Sequence, residues 1–263
     1  MKPILFSILL ISFLSVPAMA QEARTTTLTD SIAIRQVDSL IQISRDLTAK
    51  QQLDEALQIN EMAEKLALER FGRESAAYGS CCFNRGRIMH YKRDYSEAEK
   101  WYLESKSIWE KALGKDSPDY ARSLNNLAAL YSDMGNYEKA EPLYLEALSI
   151  REKALGKEHP DNAKSLNNLA LLYENMGNYV KAEPLLLEAR DIWEKALGKD
   201  HPDYANSLNN LANLYKNMGN YEKAEPLYLG ARDIQEKALG INHPGYASSL
   251  NNLAILYLSL IHI

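Results

Sequence analysis

Apolar residues recur along most of the chain at the spacing of one helix face. In one stretch Leu124, Leu127, Ala128 and Tyr131 fall at i, i+3, i+4 and i+7, the stripe of an amphipathic helix. The pattern opens at Ser117-Pro118, a hydroxyl N-cap followed by a proline at the first helical position, and stops at Gly135, which can take the left-handed C′ conformation. Asn136 then caps a second helix with apolar members Ala140, Leu143, Tyr144, Ala147 and Ile150, and Gly156 closes it. The spacing therefore predicts a tight antiparallel hairpin. Pro142, Pro184 and Pro226 sit beyond the first turn of such second helices, where a proline removes an intrahelical hydrogen bond, and a bend is expected there.

The hairpin is written repeatedly. SLNNLA begins at Ser123, Ser165, Ser207 and Ser249, a constant period of 42. Older copies are worn but legible: Tyr95, Ala98 and LGKDSPDYA (113–121) precede Tyr137, Ala140 and LGKEHPDNA by one period, and Leu53, Ala56 and FGRESAAYG (71–79) stand one period earlier. Self-similarity at this spacing means stacked supersecondary units without a single closed core.

The pattern Leu-x-x-Leu-Ala-x-x-Tyr, then Gly-x-Tyr-x-x-Ala, then Tyr-x-x-Ala-Leu resembles tetratricopeptide repeats. The repeat length and the LG-K-x-HP linkers (155–160 and 197–202) are similar to the kinesin-light-chain-like variety. The resemblance covers residues 34–257 and implies an all-α fold, a right-handed superhelix of antiparallel helical hairpins with about five hairpins and one unpaired helix. It also implies that the first helices line a concave groove that holds peptides or partner helices. Two departures stand out: the first two repeats lack the Asn pair, and the last is cut off after its first helix.

Placing Leu124 at zero and advancing about 100° per residue puts Asn125 at about 100°, off the core stripe, and Asn126 near 200°, toward the next helix. The first-helix positions that change between copies are Arg122/Lys164/Asn206/Ser248, Ala129/Leu171/Asn213/Ile255, Ser132/Glu174/Lys216 and Asp133/Asn175/Asn217. All lie on the Asn125 arc, so the chain holds its packing surface constant and varies one strip around a fixed asparagine. Asn125, Asn167, Asn209 and Asn251 then have two readings. They offer donor and acceptor to a bound peptide backbone while the varied columns read its side chains, or they satisfy neighbouring backbone. Asn126, Asn168, Asn210 and Asn252, at the margin, are expected to bond between repeats.

Charge narrows the partners. With 30 basic and 35 acidic residues the net charge is −5, without the basic excess a phosphate-binding surface needs, and nucleic acid is not expected. The unknown peptide or protein partner of the groove is the expected ligand. Cys81 and Cys82 are adjacent and cannot close long loops; Cys82 stands in the place of Leu124 and reads as a small core hydrophobe. His159, His201 and His243 lie one repeat apart before Pro (Gly245 follows Pro244), with no ligand spacing, so they read as loop or cap residues and no metal is expected. No Gly-rich phosphate loop, nucleophile elbow or isolated carboxylate pair occurs, so neither a cofactor nor enzymatic activity is expected.

The termini carry separate expectations. Met1-Lys2, the apolar run from Ile4 to Val16 and Ala18-Met19-Ala20 read as a signal peptide over residues 1–20, cleaved after about Ala20, so that the chain is exported to the periplasm or beyond. The run is shorter than the roughly 20 residues that span a bilayer, so no stable membrane insertion is expected after cleavage. Residues 21–33 read as a short lead. After Tyr257 the repeat demands KNMGNYEKAEP but the chain reads LSLIHI (258–263), which matches one frame of a common sequencing-transposon end and reads as a non-native tail on a fragment. Signal peptides followed by such repeats also resemble bacterial proteins that continue into a caspase-like CHAT peptidase domain. The alternative function is therefore the regulatory front of a larger enzyme.

Overall fold

The computed structural model describes residues 18–261, with side chains from 29 to 260; the expected signal peptide lies outside the described residues up to residue 17, as do residues 262–263 of the expected tail. The described residues form helices α1 (Ala18–Ala49), α2 (Leu53–Phe71), α3 (Ala76–Tyr91), α4 (Tyr95–Leu113), α5 (Pro118–Asp133), α6 (Tyr137–Leu155), α7 (Pro160–Asn175), α8 (Tyr179–Leu197), α9 (Pro202–Asn217), α10 (Tyr221–Leu239) and α11 (Pro244–Ile261). There is no strand among them. Each odd helix packs antiparallel on the even helix that follows it, and each hairpin packs on the next, giving five hairpins and the single helix α11. The fold is an all-helical solenoid.

The helix boundaries follow from local chemistry. Ser117 Oγ accepts from the Tyr120 amide and Pro118 opens α5, while Asn136 Oδ1 accepts from the Lys139 amide to open α6. The chain reverses between them at Gly135 with φ of 74°, a left-handed conformation that costs a glycine little. In the later repeats the serine cap becomes histidine: Nδ1 of His159, His201 and His243 accepts from the amide two residues on, at 3.2, 3.1 and 3.0 Å. The histidines are caps, in keeping with their position before the first helical residue. Pro142, Pro184 and Pro226 lie inside α6, α8 and α10, each of which runs unbroken over 19 residues.

The core is wider than the single stripe predicted. Leu124, Leu127 and Ala128 are buried, but so are Ala121, Ser123 and Leu130, each with no exposed surface. A helix in the middle of a stack is covered by its own partner and by the hairpins on both sides, so two faces are buried instead of one. Neighbouring hairpins are tied by a repeated bond from a first-helix tyrosine to the preceding second helix. Tyr131 donates to Glu99 at 2.6 Å, Tyr173 to Glu141 at 2.6 Å, Tyr215 to Glu183 at 2.7 Å and Tyr257 to Glu225 at 2.9 Å. Burial, reinforced by the Glu99 and Glu183 carboxylates, pushes the Tyr131 and Tyr215 hydroxyls up to about 12, so they stay protonated donors.

Cys81 and Cys82 are free thiols with no exposed surface, packed with Val37, Ile41 and Ala67, in agreement with a core role. At the far end, the face of α11 that a second helix would cover is open. Leu250 and Tyr257 are 42% and 41% exposed, against 7% for each of their counterparts Leu208 and Tyr215 in α9.

Candidate ligand groove

The varied strip of the first helices opens into two cavities. The larger, of about 840 Å³, is bordered by α3, α4, α5 and the turn between α1 and α2, with Arg87, His90, Tyr102, Asn126, Ala129 and Asp133 on its walls. The smaller, of about 450 Å³, draws on five successive helices: Lys164 and Asn167 from α7, Trp193 from α8, Asn206, Asn209, Asn210 and Asn213 from α9, Gln235 from α10, and Ser248 and Asn252 from α11. A hollow shared by five consecutive helices of a solenoid runs along the stack. It is the groove side of the array.

Of the candidates, Lys164, Asn167, Asn206, Asn209 and Asn213 thus come together in one cavity and Ala129 lines the other. Arg122 lies with its guanidinium carbon 4.7 and 4.8 Å from the ring centres of Phe83 and Trp109 and donates to Asp119 at 2.9 Å. Glu174 accepts from Asn217 at 2.6 Å, and burial raises its carboxyl above the usual carboxylate range. Ser132 and Lys216 are half-buried, while Leu171 and Asn251 are exposed and line neither cavity.

The asparagine arc is less open than its angle promised. Asn125 and Asn167 are 9% exposed and Asn209 8%, because that side of each first helix meets the first helix of the next repeat. The second asparagine of one repeat reaches the first of the repeat before: Asn168 Nδ2 donates to Asn125 Oδ1 at 3.3 Å, and Asn210 Nδ2 to Asn167 Oδ1 at 2.7 Å. The pair is therefore an inter-repeat rung, with the acceptor of the first member committed to the stack. Asn126 instead donates to the Arg122 carbonyl of its own helix at 3.0 Å. In the last full repeat the rung is replaced, since Asn209 Nδ2 donates to Ser249 Oγ at 2.9 Å and Ser249 donates to Gln235 at 2.6 Å. This leaves Asn209 Oδ1 buried without a donor.

Comparison of the first helices misses the floor of the groove. Trp109, Arg151, Trp193 and Gln235 stand 42 apart on the second helices and differ in every copy but one pair, the same signature of variation on a constant frame. Trp193 is 5% exposed and its Nε1 finds no acceptor, although Trp109 Nε1 reaches the Ala76 carbonyl at 3.2 Å. Two residues that line the smaller cavity thus carry a buried polar atom without a partner, Trp193 Nε1 and Asn209 Oδ1. Each such group costs free energy until a partner arrives.

No group of three or more His, Cys, Asp or Glu able to hold a metal occurs among the described residues, and no described helix is long and apolar enough to cross a membrane.

Stacked helical hairpins with a lined groove define a helical-repeat class whose extended surfaces bind other proteins and peptides. The tetratricopeptide repeat pattern matches residues 75–153, 121–186, 161–228 and 208–260, and the chain belongs to the tetratricopeptide repeat family. A putative kinesin light chain with nearly identical TPR-like repeats from Podosopora anserina is 25% identical, with 79% of this chain and 98% of that chain covered and a TM-score of 0.63. BtubC (BKLC) from P. vanneervenii is 22% identical over 85% of this chain and 89% of its own, with a TM-score of 0.69. The apo form of RapI is 17% identical, covers 85% of this chain and 84% of its own, and has a TM-score of 0.63. The last two likenesses are of fold. No curated protein matches the sequence.

Proposed function

We propose that the chain is an exported scaffold that holds an extended peptide or a segment of a partner protein along the groove of its first helices. One observation carries the reading: two residues that line the smaller cavity, Trp193 and Asn209, hold a buried indole donor and a buried amide acceptor that have no partners. A donor and an acceptor are what a peptide group pairs with, and a ligand backbone supplies both. The side chains around them, Lys164, Asn206 and Asn213, are those that vary between otherwise constant repeats. The export half of the proposal rests on the sequence of residues 1–20 alone.

The test is selection of binders from a random peptide library on the full-length chain, followed by Trp193→Phe. Removing the indole donor while keeping most of the ring should weaken selected peptides about five- to tenfold, the worth of one hydrogen bond of about 1 kcal/mol, and leave the fold intact. Selected peptides that bind Trp193→Phe, Asn206→Ala and Lys164→Ala unchanged would remove the groove from the function. For export, N-terminal sequencing of the chain recovered from a bacterial periplasm should begin at Gln21; a mature chain that still carries Met1 counts against it.

A further inference from the structure

Each of the three later hairpins turns at a glycine. Gly135, Gly177 and Gly219 sit there with φ of 74°, 72° and 75°, a left-handed conformation that a residue without Cβ adopts freely. One period before Gly135 the residue is Arg93, with φ of 61°, and one period before that it is Gln51, with φ of 62°. These are the only residues other than glycine with positive φ among the described residues. The chain thus makes the same turn in every hairpin, but in the first two it makes it with side chains that resist the conformation. Both side chains reach one place: Gln51 and Arg93 line the larger cavity, of about 840 Å³.

The rest of that wall shows what the strained turns serve. Arg87 lines it too, and no hydrogen bond or ion pair among the described residues engages the side chains of Gln51, Arg87 or Arg93. Asp133 stands on the same wall with one oxygen bonded to His90 Nε2 at 2.8 Å, and Asn126 uses its amide nitrogen on the Arg122 carbonyl and keeps its oxygen as an acceptor. Tyr91, 52% exposed, adds an open ring. Guanidiniums only donate, a carboxylate only accepts, and amides do both; a ligand rich in hydroxyls, which also donate and accept, can meet all three. Arg87 and Arg93 against Asp133 leave one positive charge, which suits a single carboxylate, whereas a run of carboxylates would meet repulsion from Asp133. The volume is that of a pocket for a small organic ligand.

We propose that the larger cavity is a saccharide site, separate from the asparagine-lined half of the groove, and that its ligand is a short oligosaccharide with one hexuronic acid. The uronic carboxylate lies in the guanidinium forks of Arg87 and Arg93, the hydroxyls bond Gln51, Asn126 and Asp133, and the apolar face of a sugar ring lies on Tyr91. Glycine at 51 or 93 would relax the turn and remove a partner of the ligand.

The probe is glucuronosyl-xylobiose, a trisaccharide with one carboxylate, titrated calorimetrically into the full-length chain, with xylotriose as its uncharged counterpart and acetate as a bare carboxylate. Glucuronosyl-xylobiose should bind with a dissociation constant of about 1 mM or tighter, and xylotriose and acetate should each bind about tenfold more weakly or worse. Arg93→Gly and, separately, Gln51→Gly should weaken it severalfold while the melting temperature holds or rises, because glycine relieves the turn. Arg87→Gln should also weaken it, and Lys195→Gln at an exposed site on α8 should not. An Arg93→Gly chain that melts lower and binds the probe as before would make the arginine structural and overturn the assignment. So would a chain that does not bind the probe, binds the two trisaccharides equally, or binds acetate as tightly as the probe. Peptides selected on the smaller cavity need neither Arg87 nor Arg93, so failure of the saccharide site leaves the peptide reading standing, and failure of the peptide reading leaves the saccharide site.

Discussion

Replacing Asn210 by Ala removes the donor that reaches Asn167 Oδ1 at 2.7 Å and leaves an acceptor on a side chain only 9% exposed. An unsatisfied buried acceptor costs about 1–3 kcal/mol, and the half-buried position of Asn210 itself adds little cavity, so a loss of about 1–2 kcal/mol is expected. Asn167→Ala should cost a similar amount for the lost bond. The double variant should cost less than the sum of the two, with a coupling of about 1 kcal/mol, because once both partners are gone nothing is left unpaired. Solenoids lose repeats in steps, so the readout is native-state amide exchange in α7 and α9 alongside urea unfolding. Lys237→Gln, which removes an exposed ion pair with Asp200, is the control and should fall within about 0.5 kcal/mol of the parent. Additive costs for Asn167 and Asn210, or an Asn210→Ala chain as stable as the parent, would refute the rung.

Leu211→Ala, at a site 1% exposed, should lose roughly 2–5 kcal/mol in the same urea assay. Gly86→Ala places a Cβ 2.7 Å from the Tyr102 ring and should cost about 1–3 kcal/mol by overpacking; a neutral effect on the melting temperature would show that the ring moves aside. Burial raises the Cys81 thiol and pushes Cys82 up to about 12, so the folded chain keeps protons that the unfolded chain releases above roughly pH 8.5. Stability should therefore decline as pH climbs past that point, the part of the decline between about pH 8.5 and 10, below the range where the buried tyrosines contribute, should vanish in the Cys81→Ala, Cys82→Ala chain, and iodoacetamide should label neither thiol before unfolding. Amides of α11 should exchange faster than those of α9, since Leu250 and Tyr257 lack the cover that Leu208 and Tyr215 have; equal protection would contradict the open face.

Caps and period were legible because both are local or arithmetic. Ser117, Asn136 and Gly135 announce their conformations within a few residues, and 42-residue spacing needs no geometry. Radial depth is another matter. The helical angle of Asn125 places it off the core stripe, but whether that arc meets solvent or the next first helix depends on how tightly successive repeats curve, which one helix does not encode. The bonding role of the second asparagine was readable at the margin, and its partner was not. Arg87, on the wall of the larger cavity, escaped because the worn repeats lack the asparagines that marked the column; counting back one period from Ala129 finds it. Trp193 escaped because variation was compared on first helices only, although the second helices carry the same signal at the groove floor.

The tyrosine-to-glutamate bond between successive hairpins has the same two ends at four junctions. Because its partners sit 32 residues apart each time, the junction belongs to the period and to no repeat in particular. Gain or loss of one whole unit among the near-identical copies then leaves every surviving junction with both of its partners, whereas an insertion of any other length within α5 to α10 orphans one. Length in this chain is quantised. The varied columns travel with their units through such events, so the groove can be lengthened, shortened or reordered like a row of type while the frame that holds it is untouched.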